Sequence, residues 1–148
     1  METLNMTVPS MDRTARPAGL ILVVEDEAII RDFVCEILQE EGFATHAEET
    51  ADAALTYLEA HHQDVSLLLT DILMPGALNG ADLANRVEER WPQMPVLITS
   101  GHETPESSGV KKSVAFVRKP WTIGQMLGGV EDALNGQPPL TEAGLVAR

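Results

Sequence analysis

The chain has 148 residues, with 23 acidic against 10 basic side chains and a net charge of −13. This length allows one domain with a substantial core, and the charge disfavours both a nucleic-acid backbone and an anionic membrane surface as partners. The single cysteine, Cys35, cannot form an internal disulfide, the first residues lack the apolar core of a signal peptide, and no apolar run approaches membrane-spanning length, so a cytoplasmic setting is expected.

Residues 1–19 mix Thr, Ser, Asn, Pro, Arg and Gly without a period and read as a disordered arm. Two acids there balance two arginines, and Glu142 balances Arg148 in the tail 136–148, so the middle of the chain carries the negative charge. Leu20 to Val24 is a β-branched run ending in Glu25-Asp26-Glu27. Ile30, Phe33, Val34, Ile37 and Leu38 then recur at helical spacing, and Gly42 closes that helix. Phe43 to Ala47 is a short strand, followed by Thr50 as the cap of a helix with Ala51, Ala54, Leu55 and Leu58 on its apolar stripe.

Val65 to Leu69 runs almost unbroken through apolar residues into Thr70-Asp71, the pattern of a strand buried on both faces, with Asp71 at its carboxyl end. A Met74-Pro75-Gly76 turn leads to Asn79-Gly80, after which Leu83, Ala84, Val87 and Trp91 mark a helix stopped by Pro92. Pro95 to Thr99 is the next buried strand and runs into Ser100-Gly101; Val114 to Val117 is the fifth, ending at Arg118-Lys119-Pro120. Between them, His102 to Ser113 contains Pro105, Ser107, Ser108 and Gly109, so any helix there is expected to be short or irregular. A last helix carries Ile123, Met126, Leu127, Val130 and Leu134, and Gly136 to Pro139 ends it. Five strands alternating with helices predict an α/β fold, a doubly wound parallel sheet covered on both faces, in one domain over 20–135 with a flexible tail over 136–148.

In such a sheet the carboxyl ends of the strands share one rim, so Glu25-Asp26, Asp71, Ser100 and Lys119 converge. Three gathered carboxylates repel one another unless a cation sits among them. Oxygen donors with open coordination positions suit Mg²⁺. Lys119 and Ser100 add a positive charge and a hydroxyl, the groups a transferring phosphoryl needs at its oxygens.

The runs Val23-Val24-Glu25-Asp26-Glu27, Thr70 to Pro75, Asn79-Gly80, Pro95 to Gly101 and Phe116 to Pro120, in this order and spacing over residues 20–135, closely resemble the receiver domain of bacterial two-component response regulators. The resemblance implies a flavodoxin-like sheet of strand order 2-1-3-4-5. It implies Asp71 as acceptor of a phosphoryl group from a histidine kinase or histidine phosphotransfer protein. Mg²⁺ would be bound by Asp26, Asp71 and the backbone carbonyl of Leu73, with Glu25 acting mostly through a water. Ser100 stands where the family has its hydroxyl switch, Phe116 where it has its aromatic switch, and Lys119, before a cis bond to Pro120, where a lysine pairs with the phosphoryl group. Leu73 and His102, two residues beyond Asp71 and Ser100, overlook the path of a hydrolytic water and should set how long the phosphoryl group lasts.

Blander readings stand beside these. Ser100 could cap a loop and Lys119 be a surface lysine; Phe116 reads equally well as core. His61-His62 falls at a helix end, where imidazoles meet the last carbonyls. Cys35 reads as packing, and the acidic face of Asp32, Glu36, Glu40 and Glu41 as solvated. With about a dozen residues after the last helix, the expectation is a stand-alone receiver, a phosphorylation switch and not an enzyme. It would act through an unknown downstream protein, as a monomer or weak dimer. The alternative is an Mg²⁺-dependent aspartyl-phosphate phosphatase or phosphotransferase on small molecules. Asp71-Ile72-Leu73 lacks the second acid with which haloacid-dehalogenase-like enzymes protonate a leaving group. A receiver-shaped scaffold blind to phosphorylation is a third reading, disfavoured by the complete acid pocket.

Overall fold

The apolar runs assemble as the period of their side chains dictates. A computed structural model of the chain describes residues 19–101, 107, 109, 110 and 114–136. Within these the elements are β1 (Leu20–Val24), α1 (Ala28–Glu40), β2 (Ala44–Glu48), α2 (Ala51–His61), a 3₁₀ turn (His62–Asp64), β3 (Val65–Asp71), α3 (Gly80–Arg90), β4 (Val96–Ser100), β5 (Ala115–Arg118) and α4 (Ile123–Leu134). The five strands form one parallel sheet in the order β2-β1-β3-β4-β5, as expected. The expected arm and tail, and most of His102 to Ser113, lie outside the described residues.

Because successive strand residues face opposite sides, each central strand feeds two cores. Leu22, Val24, Leu68 and Ile98 pack with Ala54 and Leu58 of α2 and with Leu83 and Val87 of α3. Ile21, Val23, Leu67, Leu69 and Leu97 pack on the other side with Val34 and Leu38 of α1 and with Met126 and Val130 of α4. β3 lies between β1 and β4 and is buried almost throughout, so Asp71 reaches the rim at the middle of the sheet.

The helix ends are chemically specified. The Thr50 hydroxyl accepts from the Ala53 amide at 3.0 Å, and reciprocal side-chain to backbone bonds join Asn79 with Asp82 and Thr122 with Gln125. His62 Nδ1 lies 3.2 Å from the Leu58 carbonyl at the end of α2, the helix-end role expected of it.

Two helical stripes need correction. Phe33 is 45% exposed and Ile123 49% exposed, although both were expected on buried faces. Both stand in helix turns that follow the carboxyl ends of strands, Phe33 after β1 and Ile123 after β5, and Phe33 stacks on Trp121 at 6.1 Å. The strand limits shift by one residue: β2 begins at Ala44, β4 includes Ser100, and β5 runs from Ala115 to Arg118.

Candidate functional site

Each functional side chain sits at, or one or two residues beyond, the carboxyl end of a strand. Glu25 follows β1, is 5% exposed, and its Oε2 accepts the Glu27 amide at 3.1 Å. Its carbonyl is held by Arg31 Nη1 at 2.8 Å from the first turns of α1. Asp26, the next residue, is exposed at the mouth. Asp71 closes β3 and is 9% exposed, with Oδ1 accepting the Ile72 amide at 2.7 Å. The Thr70 hydroxyl donates to the Asp71 carbonyl at 2.8 Å. Carboxylate oxygens of Glu25, Asp26 and Asp71 all lie within 4.8 Å of one another.

Lys119 supplies the positive charge. Its Nζ stands 2.8 Å from Asp71 Oδ2 and 3.7 Å from Glu25 Oε1. The Lys119 amide donates to the Ser100 carbonyl at 2.9 Å, and the Lys119-Pro120 peptide is cis. Ser100 is 3% exposed at the end of β4, beside Arg118 of β5. Phe116 is half-buried against the core shared by α2 and α3. Leu73 is 56% exposed at the rim. The structure therefore brings Glu25, Asp26, Asp71, Ser100 and Lys119 to one rim, with Leu73 at its edge; His102 lies outside the described residues.

The electrostatics follow from that crowding. Burial raises the Glu25 carboxyl above its ordinary value, and the neighbouring charge of Asp71 adds to this; the Glu27 amide and Lys119 oppose the rise. For Lys119, burial disfavours the charge, but the hydrogen bond to Asp71 and the charges of Asp71, Glu25 and Glu27 outweigh it and raise the ammonium. An acid disfavoured in its charged form by burial, and further by the charge of Asp71, is a place where a cation is stabilised. The donors are all hard oxygens, which fits Mg²⁺.

Arg31 and Asp52 carried no signal in the sequence, and Gly80 was marked only as part of the Asn79-Gly80 turn. Arg31 reads as one more charged residue of α1, yet it fixes the turn that presents Glu25 and Asp26. Gly80 donates to the Ile72 carbonyl at 2.8 Å, and a Cβ there would fall 1.7 Å from the Asp71 carbonyl oxygen, so the turn after β3 requires glycine at that place. Asp52 of α2 accepts the Leu78 amide at 3.1 Å, 26 positions along the chain.

A family model described as the response regulator receiver domain matches residues 21–131. The chain is 34% identical over 111 residues to the alkaline phosphatase synthesis transcriptional regulatory protein SphR of Synechococcus elongatus, covering 70% of this chain and 41% of that protein. It is 31% identical to the nitrogen assimilation regulatory protein NtrX of Azorhizobium caulinodans over 77% of this chain and 26% of that protein. The chain thus spans less than half the length of these relatives. The crystal structure of the receiver domain of NtrX from Brucella abortus superposes with a TM-score of 0.69 at 34% identity, over 78% of this chain and 98% of that one.

Proposed function

Since the chain belongs to the response regulator receiver domain family, we propose that it accepts a phosphoryl group on Asp71 from a phosphohistidine and passes the signal on by changing what it binds. The observation that carries this reading is the Asp71 carboxylate. It is held on one oxygen by the Ile72 amide and on the other by Lys119, beside two further acids.

Glu25, Asp26 and Asp71, with the Leu73 carbonyl, would hold Mg²⁺, which when bound neutralises charge on the phosphoryl oxygens. The backbone bond keeps Oδ1 oriented, while the Lys119 side chain is free to shift from Oδ2 to an incoming phosphoryl oxygen. Oδ2 then attacks phosphorus, an O–P bond forms as the N–P bond breaks, and the donor imidazole leaves with the electron pair. Ser100, buried at the rim, donates its hydroxyl to the new phosphoryl group, and Phe116 turns toward the space it vacates.

Ile29, 84% exposed, lies with Phe33, Leu73 and Ile123 on the same rim, an apolar border suited to the kinase or phosphotransfer protein that brings the phosphohistidine. A cytoplasmic setting is part of this proposal; among the described residues no helix is long and apolar enough to cross a membrane. The net charge of −13 favours a protein over nucleic acid as the downstream partner of this domain. The stand-alone, monomeric or weakly dimeric form belongs to the same proposal, and native mass measurement of the protein from its own cells tests it.

The deciding experiment is labelling by a phosphorylated histidine donor with Mg²⁺. Wild-type protein should acquire an acid-labile, hydroxylamine-sensitive acyl phosphate and bind beryllofluoride, and Asp71→Asn should do neither. Persistent labelling of Asp71→Asn would falsify the assignment. Sustained turnover of p-nitrophenyl phosphate would favour the small-molecule phosphatase instead.

A further inference from the structure

On the function proposed above, the turn between Asp71 and α3 has to be held still, because its backbone would offer the Leu73 carbonyl to the cation. Its two ends are secured: Gly80 donates to the Ile72 carbonyl at 2.8 Å, and the Asn79–Asp82 pair closes the start of α3. Its middle is not regular structure, and Gly76 there adopts φ +115°, a left-handed conformation strained for other residues. Leu78 and Met74 pack on the core beneath it.

Resting on the function proposed above, we infer that Asp52 is a positioning residue for phosphoryl transfer, anchoring the turn 72–79 from outside so that its backbone meets the cation in a preset place. Asp52 Oδ1 accepts the Leu78 amide at 3.1 Å. The same oxygen would lie 2.7 Å from a Cβ on Gly76, so the carboxylate is seated against the turn on both sides of Ala77. Capping α2 does not need it, since the Thr50 hydroxyl already takes the Ala53 amide. A carboxylate is well placed there all the same, because the first turn of a helix favours negative charge. The bond links α2 to the phosphoacceptor turn with no direct contact between Asp52 and the acids.

Two variants of the full chain test this: Asp52→Ala, which removes the acceptor, and Asp52→Asn, which keeps an acceptor oxygen. Mg²⁺ affinity is read from tryptophan fluorescence, since Trp121 lines the small cavity beside Glu25 and Asp71. Hydrogen exchange of residues 73–79 is read without Mg²⁺, and thermal midpoints are recorded for all. Asp52→Ala should weaken Mg²⁺ binding by roughly three- to tenfold, below the cost of removing a partner bonded to a metal ligand's own side chain. It should also speed exchange across the turn, whereas Asp52→Asn stays within about twofold of wild type. Lowered thermal midpoints with unchanged Mg²⁺ affinity and unchanged turn exchange would overturn the inference. If wild-type protein itself binds no Mg²⁺ and takes no phosphoryl group, the functional reading fails. Exchange in the metal-free protein then still decides whether Asp52 holds the turn, and unchanged exchange in Asp52→Ala rejects it.

Discussion

Gly80→Ala puts the tightest contact of the site to the test. A Cβ at this position would lie 1.7 Å from the Asp71 carbonyl oxygen, 2.7 Å from its carbonyl carbon and 2.8 Å from Ile72 Cα. All three are backbone atoms, so no side chain can swing aside, and β3 and the start of α3 must part by more than an ångström. Forced insertion of one methyl into a rigid site costs about 3 kcal/mol. The separation also breaks the Gly80 to Ile72 hydrogen bond, adding about 1 kcal/mol. For a domain of this size, roughly 4 kcal/mol lowers the thermal midpoint by about 15 °C. The displaced Asp71 should also lose at least about tenfold in phosphorylation rate, since reacting groups tolerate little misplacement. Thermal denaturation followed by circular dichroism, with Gly128→Ala as the control, checks the argument. Gly128 is an exposed helical glycine whose added Cβ meets nothing within 4 Å, so alanine there should gain roughly 0.5–1 kcal/mol. A Gly80→Ala midpoint within about 3 °C of wild type, together with unchanged phosphorylation, would refute the reasoning.

Leu73, exposed two residues beyond Asp71, cannot orient a water by hydrogen bonding; Leu73→Asn should therefore hasten loss of the phosphoryl group by about tenfold, and an unchanged rate removes the water-access argument. Lys119 has a folded-state pKa raised above the ordinary lysine value of 10.5, so its charge stabilises the fold fully below that value and progressively less as pH rises through the raised one. The stability gap between wild type and Lys119→Met, measured by urea unfolding from pH 8 to pH 11.5, should narrow across the top of that range; a gap independent of pH contradicts the assigned ion pair. Removing the Thr122 hydroxyl, which caps α4 just after the Lys119-Pro120 turn by accepting the Gln125 amide at 3.0 Å, should cost about 1 kcal/mol in Thr122→Ala, read as a shift in the urea midpoint.

Local chemistry made much of this molecule legible before any coordinates. Uninterrupted apolar runs such as Leu67 to Leu69 and Val96 to Ile98 can be buried on both faces only inside a parallel sheet. That alone places Glu25, Asp71, Ser100 and Lys119 at one rim. The cap Thr50 was equally plain, because a cap depends on residues a turn away. Other features arise where distant segments meet, and no local pattern encodes such a meeting. Asp52 looks like any helix-start acid until the turn before α3 is laid beside it, and Gly80 looks like any turn glycine until the Asp71 carbonyl is found in the space of its missing methyl. Phe33 and Ile123 follow the buried period of their helices and are nevertheless exposed, since periodicity tells which side of a helix is apolar but not where the sheet beneath it stops. Residue pattern was enough to place the strands to within a residue and to name the chemistry of the rim. The tertiary structure decided which carboxylate oxygen Lys119 holds and which remote residues keep Asp71 in place, because those depend on distances between elements that only packing sets.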